Sequence, residues 1–264
     1  MPLLRALENS MSKLFIIPAA LLLVVISCGG CDSGSVAVPD QGPVLTEINS
    51  IELSSVPEPS GLALDRDGIH FWTVSDQTGN AYRINPSGNV VTTLELGGQD
   101  LEGIAVDPTD GSLFVVEEGL GEILHFSREG LLLERLAPEG LQNLGNTGLE
   151  GITIDPISGN IFLVKEKSPG LLVQISRNAA VLNVRELGFS VDYSGLAFDV
   201  NANLLLVISD ESGTLIWCTT DGQAQREFST GLEKGEGITL SPDGSVIYAV
   251  SDSKATLNSY RINE

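Results

Sequence analysis

The sequence predicts an all-β fold, a five-bladed propeller of four-stranded antiparallel blades, and three observations predict it. A Ser-Gly or Glu-Gly pair followed by an aliphatic residue recurs five times. Its glycines, Gly61, Gly103, Gly151, Gly195 and Gly237, lie 42, 48, 44 and 42 residues apart, a period suited to a four-stranded blade and too long for a leucine-rich repeat. The last repeat lacks a fourth strand, while a strand-like segment without a repeat, about 45–53, precedes the first.

Residues 1–27 read as a targeting signal. Leu14 to Ile26 is apolar but too short to span a bilayer, where about 20 residues are needed. Val25-Ile26-Ser27-Cys28 matches a lipobox, in which Cys28 receives the lipid; a plain secreted protein and an uncleaved anchor are the alternatives. Met11 is an alternative start that leaves a short basic region carrying Lys13. Residues 28–44, rich in Gly, Ser, Pro and Asp, read as a flexible tether. Of the other cysteines, Cys31 lies in this tether and Cys218 in an apolar strand, where burial is expected ahead of a disulfide between them. No zinc spacing occurs.

Within each repeat the Gly-aliphatic strand is followed by a turn such as Asp65-Arg66-Asp67-Gly68 or Asp155-Pro156-Ile157-Ser158-Gly159. A second, apolar strand comes next, such as 71–74 or 161–164, ending in Ser-Asp, Glu-Glu or Lys-Glu. Third and fourth strands follow, as at 81–84 and 90–96, and four antiparallel strands make a blade. If 45–53 supplies the missing strand of the last blade, residues 45–264 form one closed ring with fewer exposed edges.

The chain has 264 residues, 35 acidic against 14 basic, and a net charge of −21. Removing residues 1–27, which carry Arg5, Glu8 and Lys13, makes it −22. Such a balance excludes a phosphate backbone as partner. With 42% apolar and 19% charged residues it does not imply disorder, and 5% aromatic content disfavours stacking platforms.

Propeller topology turns the acidity into positions. The start of the first strand and the end of the second share an edge, so Ser60, Glu102, Glu150, Ser194 and Glu236 should ring one mouth of the channel. Asp76, Glu118, Glu166, Asp210 and Asp252 should stand behind them, with Glu58, Asp100 and Asp192 close by. At ~5 Å and an effective dielectric of about 20, each carboxylate pair costs roughly 3 kcal/mol. A hard divalent cation, Ca2+ first, would offset this, with the adjacent glycines letting carbonyls approach it. Shared protons, pairing with Lys165 and Lys234, or a merely solvated rim are the alternatives.

Other signals are weak. Asp65-Arg66-Asp67-Gly68 begins like an EF-hand loop but lacks its closing Glu and helical flanks. His70 and His125 are isolated, no Gly-x-Ser-x-Gly elbow occurs, and Trp72 and Trp217 lie in strands as packing residues.

The stretch Asn146-Thr147-Gly148-Leu149-Glu150-Gly151, then Lys165-Glu166-Lys167-Ser168-Pro169, resembles the SdiA-regulated family of bacterial envelope proteins. Asp100-Leu101-Glu102, Tyr193-Ser194-Gly195, 206–212, Glu236-Gly237 and Val250-Ser251 extend the resemblance over about 50–262. It implies a five-bladed propeller, distantly similar to NHL-repeat proteins, with a bound calcium ion. Two departures stand out: the stretch before the last Glu-Gly, Gly231 to Gly235, is short, and Ser251-Asp252 replaces the usual Ser-Glu.

The expectation is therefore a lipid-anchored, extracytoplasmic, monomeric propeller of the cell envelope, binding calcium through Glu102, Glu150 and Glu236, with Glu166 and Asp210 as further candidates. Its acidic mouth would take a protein or small-molecule ligand. A calcium-dependent hydrolase of a lactone or phosphate ester, and a purely structural envelope protein, are the alternatives.

Overall fold

The computed structural model describes residues 43–142 and 147–263. The signal, Cys28, Cys31, the tether through residue 42 and Asn146 lie outside the described residues.

Five four-stranded antiparallel sheets form the five blades. Blade 1 is β2 (Pro59–Leu64), β3 (Phe71–Ser75), β4 (Asn80–Ile84) and β5 (Val90–Glu95). Blade 2 is β6 (Leu101–Val106), β7 (Leu113–Glu117), β8 (Glu122–Phe126) and β9 (Leu132–Leu136). Blade 3 is β10 (Leu149–Ile154), β11 (Ile161–Lys165), β12 (Leu171–Ile175) and β13 (Val181–Glu186). Blade 4 is β14 (Gly195–Asp199), β15 (Leu204–Ser209), β16 (Thr214–Cys218) and β17 (Ala224–Ser229). Blade 5 is β18 (Gly235–Leu240), β19 (Ile247–Ser251) and β20 (Thr256–Asn263), completed by β1 (Val44–Glu52). Val44 faces Asn263 and Glu52 faces Thr256, so the N-terminal strand closes the ring, one residue earlier than expected.

Each junction between neighbouring blades holds its own apolar cluster. Ala105, Phe114 and Val116 of blade 2 pack on Ile152, Ile161 and Leu163 of blade 3. At the closing junction Val250 and Leu257 of blade 5 pack with Leu62, Phe71 and Tyr82 of blade 1. The second strands are therefore buried on both faces and read as unbroken apolar runs, whereas outer strands such as β9 and β13 are mostly exposed. Trp72 and Trp217 are buried, as is Cys218, a free thiol whose pKa burial pushes up to about 12.

The repeated glycine has a packing cause. A Cβ on Gly61, Gly103, Gly151, Gly195 or Gly237 would come within 3 Å of backbone atoms in the next blade around the ring. The inner strands thus meet backbone against backbone, which only glycine allows. It is the blades, rather than a ligand, that demand these glycines. The residues after them, Leu62, Ile104, Ile152, Leu196 and Ile238, are buried and line a constricted waist in the channel. Above it lies an acidic cavity of about 190 Å³ and below it a more apolar cup of about 260 Å³.

Candidate metal centre

The acidic residues reach the channel through irregular strand starts. Leu101 faces Glu117 and Ile104 faces Val115, so Glu102 and Gly103 oppose Val116 alone. Equivalent bulges fall at Ser60-Gly61, Glu150 and Glu236-Gly237. Such a bulge re-aims a side chain. Two residues before Ser60, Glu102 and Glu236, the chain takes left-handed φ at Glu58 (43°), Asp100 (58°) and Lys234 (51°), strain that concentrates where geometry is imposed. The carbonyls of Asp100, Gly148 and Lys234 then accept from the amides of Glu118 (3.0 Å), Glu166 (2.9 Å) and Asp252 (3.0 Å). The two edges of the mouth positions in blades 2, 3 and 5 are thereby tied together.

Blade 4 departs from this scheme. No register shift interrupts the pairing of β14 with β15, and the buried Asp192 carboxylate does the tying instead. It accepts from the amides of Asp210 (3.0 Å) and Glu211 (3.1 Å) and from the hydroxyls of Ser194 (3.2 Å) and Ser209. This carboxylate is satisfied by its own turn.

All the residues proposed from sequence, Glu102, Glu150, Glu236, Glu166 and Asp210, line the acidic cavity, with Ser60, Asp76, Asp192 and Asp252. Two tighter groups form at its wall, joining the lining residues Glu102, Glu150 and Glu166 to Asp100 and Glu118, which are not among the lining residues. Carboxylate oxygens of Asp100, Glu102 and Glu118 lie within 4.8 Å of one another, and so do those of Glu118, Glu150 and Glu166. Glu118 is common to both, buried, and oriented by the Gly148 amide at 2.9 Å. Glu236 and Asp210 belong to neither group. Sequence reasoning placed Glu118 and Asp100 at the mouth without selecting them, because their convergence depends on how blade 2 meets blade 3.

The cations sit to one side. Lys234 Nζ is 2.8 Å from Asp210 Oδ2, and Lys167 Nζ is 2.7 Å from Glu166 Oε1 and 2.8 Å from Glu211 Oε1. Lys165, one of the two lysines offered by the sequence as alternative partners for the mouth, is buried near Glu166 and Glu118, but its ammonium donates to the carbonyls of Lys167 and Pro169 (3.3 Å) and makes no ion pair among the described residues. The chain turns after β11, and Ser168 adopts φ 61°, so Lys167 takes the position at the cavity. Asp100, Glu102, Glu118 and Glu150 make no ion pair among the described residues.

Burial and crowding act on the buried glutamates. Burial, then the charges of Glu236, Asp76 and Asp100, push Glu102 up to about 8 despite a hydrogen bond from Ser60. Burial and the surrounding carboxylates raise Glu150 well above the usual range and raise Glu118 as well. Burial and Asp210 push Glu236 to about 7, with Lys234 opposing. An all-oxygen, carboxylate-rich set of this kind fits a hard cation with flexible coordination, and it lacks the nitrogen and sulfur donors of a zinc site.

Fold and site together define a five-bladed propeller with a carboxylate-lined mouth. The chain belongs to the SdiA-regulated family, whose sequence profile matches residues 44–255. No curated protein matches it. Among solved structures it is similar to the glutaminyl cyclase of Myxococcus xanthus, at TM-score 0.68 and 15% identity over 84% of this chain and 97% of that one. It is also similar to a chain of a nidogen/laminin complex, at TM-score 0.55 and 20% identity over 73% of this chain and 72% of that one. A third likeness is to the hydrazine synthase of Kuenenia stuttgartiensis, at TM-score 0.50 and 12% identity, covering 74% and 56%. At these identities the likeness is one of fold.

Proposed function

We propose that this protein is a lipid-anchored, extracytoplasmic propeller, monomeric in the cell envelope, whose mouth binds calcium and presents it as part of a binding surface. The observation that carries the reading is the pair of carboxylate groups sharing Glu118, with no ion pair to Asp100, Glu102, Glu118 or Glu150 among the described residues. Unpaired carboxylates so close destabilise the fold unless something neutralises them. In this reading Glu102, Glu150 and Glu166, with Asp100 and Glu118, supply oxygens, and Glu236 and Asp210 border the ion from the lysine side. Calcium contributes charge neutralisation and a coordination site for an oxygen-bearing ligand. Cys28 carries the lipid.

The test is metal analysis of the purified full chain, with melting followed in calcium and after chelation. Bound calcium and a Tm lowered by chelator are expected; a metal-free protein indifferent to calcium would sink the reading. Glu150→Gln should weaken calcium binding at least tenfold.

A second reading is a calcium-dependent hydrolase of a lactone or phosphate ester. The cavity of about 190 Å³ beside the carboxylates favours it, since a purely structural ion needs no such space. Glu236, held at about 7, has the proton affinity of a general base. Turnover of a phosphate monoester or lactone that Glu236→Gln abolishes while leaving calcium bound would establish it. The purely structural alternative, with lysines closing the mouth, gains less support, because Lys167 and Lys234 leave four carboxylates unpaired.

A further inference from the structure

Two partners compete for Glu166. Its carboxylate is grouped with those of Glu118 and Glu150, yet its Oε1 is 2.7 Å from the Lys167 ammonium. The same ammonium is 2.8 Å from Oε1 of the half-exposed Glu211, across the junction of blades 3 and 4. A divalent cation coordinated by Glu166 would lie only a few ångströms from that ammonium, and like charges at such range repel.

The backbone here is held by hydrogen bonds, while the Lys167 side chain is one-third exposed. The Glu166 amide donates to the Gly148 carbonyl at 2.9 Å, and the buried Lys165 ammonium holds the carbonyls of Lys167 and Pro169. Lys167 itself has a flexible four-carbon stem and a second acceptor already in place at Glu211. Lys234, by contrast, bonds Asp210, which is in neither carboxylate group.

We propose that Lys167 is a tethered competitor for the cation site: it holds Glu166 when no divalent ion is bound and withdraws to Glu211 when one binds. Its ammonium therefore sets how weak the site is. This inference rests on the cation reading of the mouth given above, and it makes Lys167 a positioning residue that acts through Glu166.

The experiment is titration of the full chain in mild detergent with calcium alone, by calorimetry and by competition with a chromophoric chelator. Lys167→Met should tighten binding about tenfold, and Lys167→Arg should stay within about twofold of the unmodified chain. Lys234→Met, the same charge change at the same mouth, should tighten it by no more than about threefold. Melting provides a second readout: Lys167→Met should lower Tm without calcium and leave it unchanged in saturating calcium, whereas a merely structural lysine would lower both. Equal effects of Lys167→Met and Lys234→Met, or weaker binding in Lys167→Met, would overturn the inference and leave the cation reading intact. Absence of calcium binding in the unmodified chain would remove both.

Discussion

The two faces of this propeller use the same residue type in opposite ways. On the turn face, Asp65 accepts from Arg83 Nε at 2.5 Å and from Arg128 Nη2 at 3.0 Å, and Asp107 from Arg177. Arg128 and Arg177 reach back from the following blade, so these carboxylates staple blade 1 to 2 and blade 2 to 3. Asp199 accepts from the Trp217 indole at 3.1 Å and from the Asn201 amide at 3.1 Å. On the mouth face, carboxylates converge on carboxylates. Acids that have donors stabilise the fold; acids gathered without them oppose it, and such local conflicts gather at functional sites.

The comparison predicts opposite pH responses, and this is the largest effect. Glu102 and Glu236 have folded values of about 8 and about 7 against an ordinary 4.5, so the folded state holds protons that the unfolded chain releases. Their stabilising protonation is complete below about 4.5 and is lost as pH rises through 7 to 8. Metal-free protein should therefore gain stability, on the order of a few kcal/mol, as pH falls from about 8 to about 4.5. On the turn face, burial raises Asp67, but the amides of His70 and Ile69 and the His70 ring outweigh it and hold Asp67 at about 2. Ser241 and Ser245 hold Asp243 at about 2 as well. Their contribution is present above 3.8 and disappears as pH falls towards 2. Urea denaturation from pH 3 to 9 should show a maximum near pH 4 to 5 without metal, and calcium should move that maximum upward. A metal-free curve that rises towards pH 8 would erase the distinction between the faces.

A smaller effect tests the staples. Arg177→Ala leaves the buried Asp107 carboxylate without its cation; because the arginine is 36% exposed, the loss should be about 2 kcal/mol. Calcium affinity should be unchanged, and calcium titration of the variant checks that. Smallest is Glu118→Gln, which removes charge from both carboxylate groups. It should stabilise the metal-free protein slightly in the same denaturation assay, since burial and neighbouring carboxylates raise this group and its charged form opposes folding. A destabilised variant would mean that Glu118 is valued for its bond from Gly148 more than it is penalised for its neighbours.

How much of this was legible depends on the range of the interaction. The blade count and the three-plus-one closure follow from the spacing of five glycines and one missing strand, because a repeat encodes its own periodicity. The ring of mouth positions follows from hairpin geometry alone. Lys165 ends its strand as the sequence places it, but the chain turns at Ser168, so its ammonium meets backbone carbonyls while Lys167, which the sequence does not single out as a partner, pairs with Glu166. Convergence on Glu118 depends on contacts between blades, and the Arg128–Asp65 and Arg177–Asp107 pairs join residues 63 and 70 positions apart. His70, isolated in the sequence, lies 2.6 Å from Asp67 in a turn that also engages Arg83. No local pattern carries such information.

The closing blade has a consequence for assembly. Delivered from its N-terminus, the chain presents β1 first, yet β1 pairs with β20, as in Glu47 opposite Tyr260 and Val44 opposite Asn263. Contacts of such long sequence separation form slowly and late. Because each apolar cluster lies between two blades, blades 1 to 4 bury their cores by stacking on one another, while the first strand waits unpaired until the last one arrives. A chain that stalls or is clipped near Tyr260 leaves that edge open, so the seam doubles as a checkpoint: only a complete polypeptide becomes a closed ring.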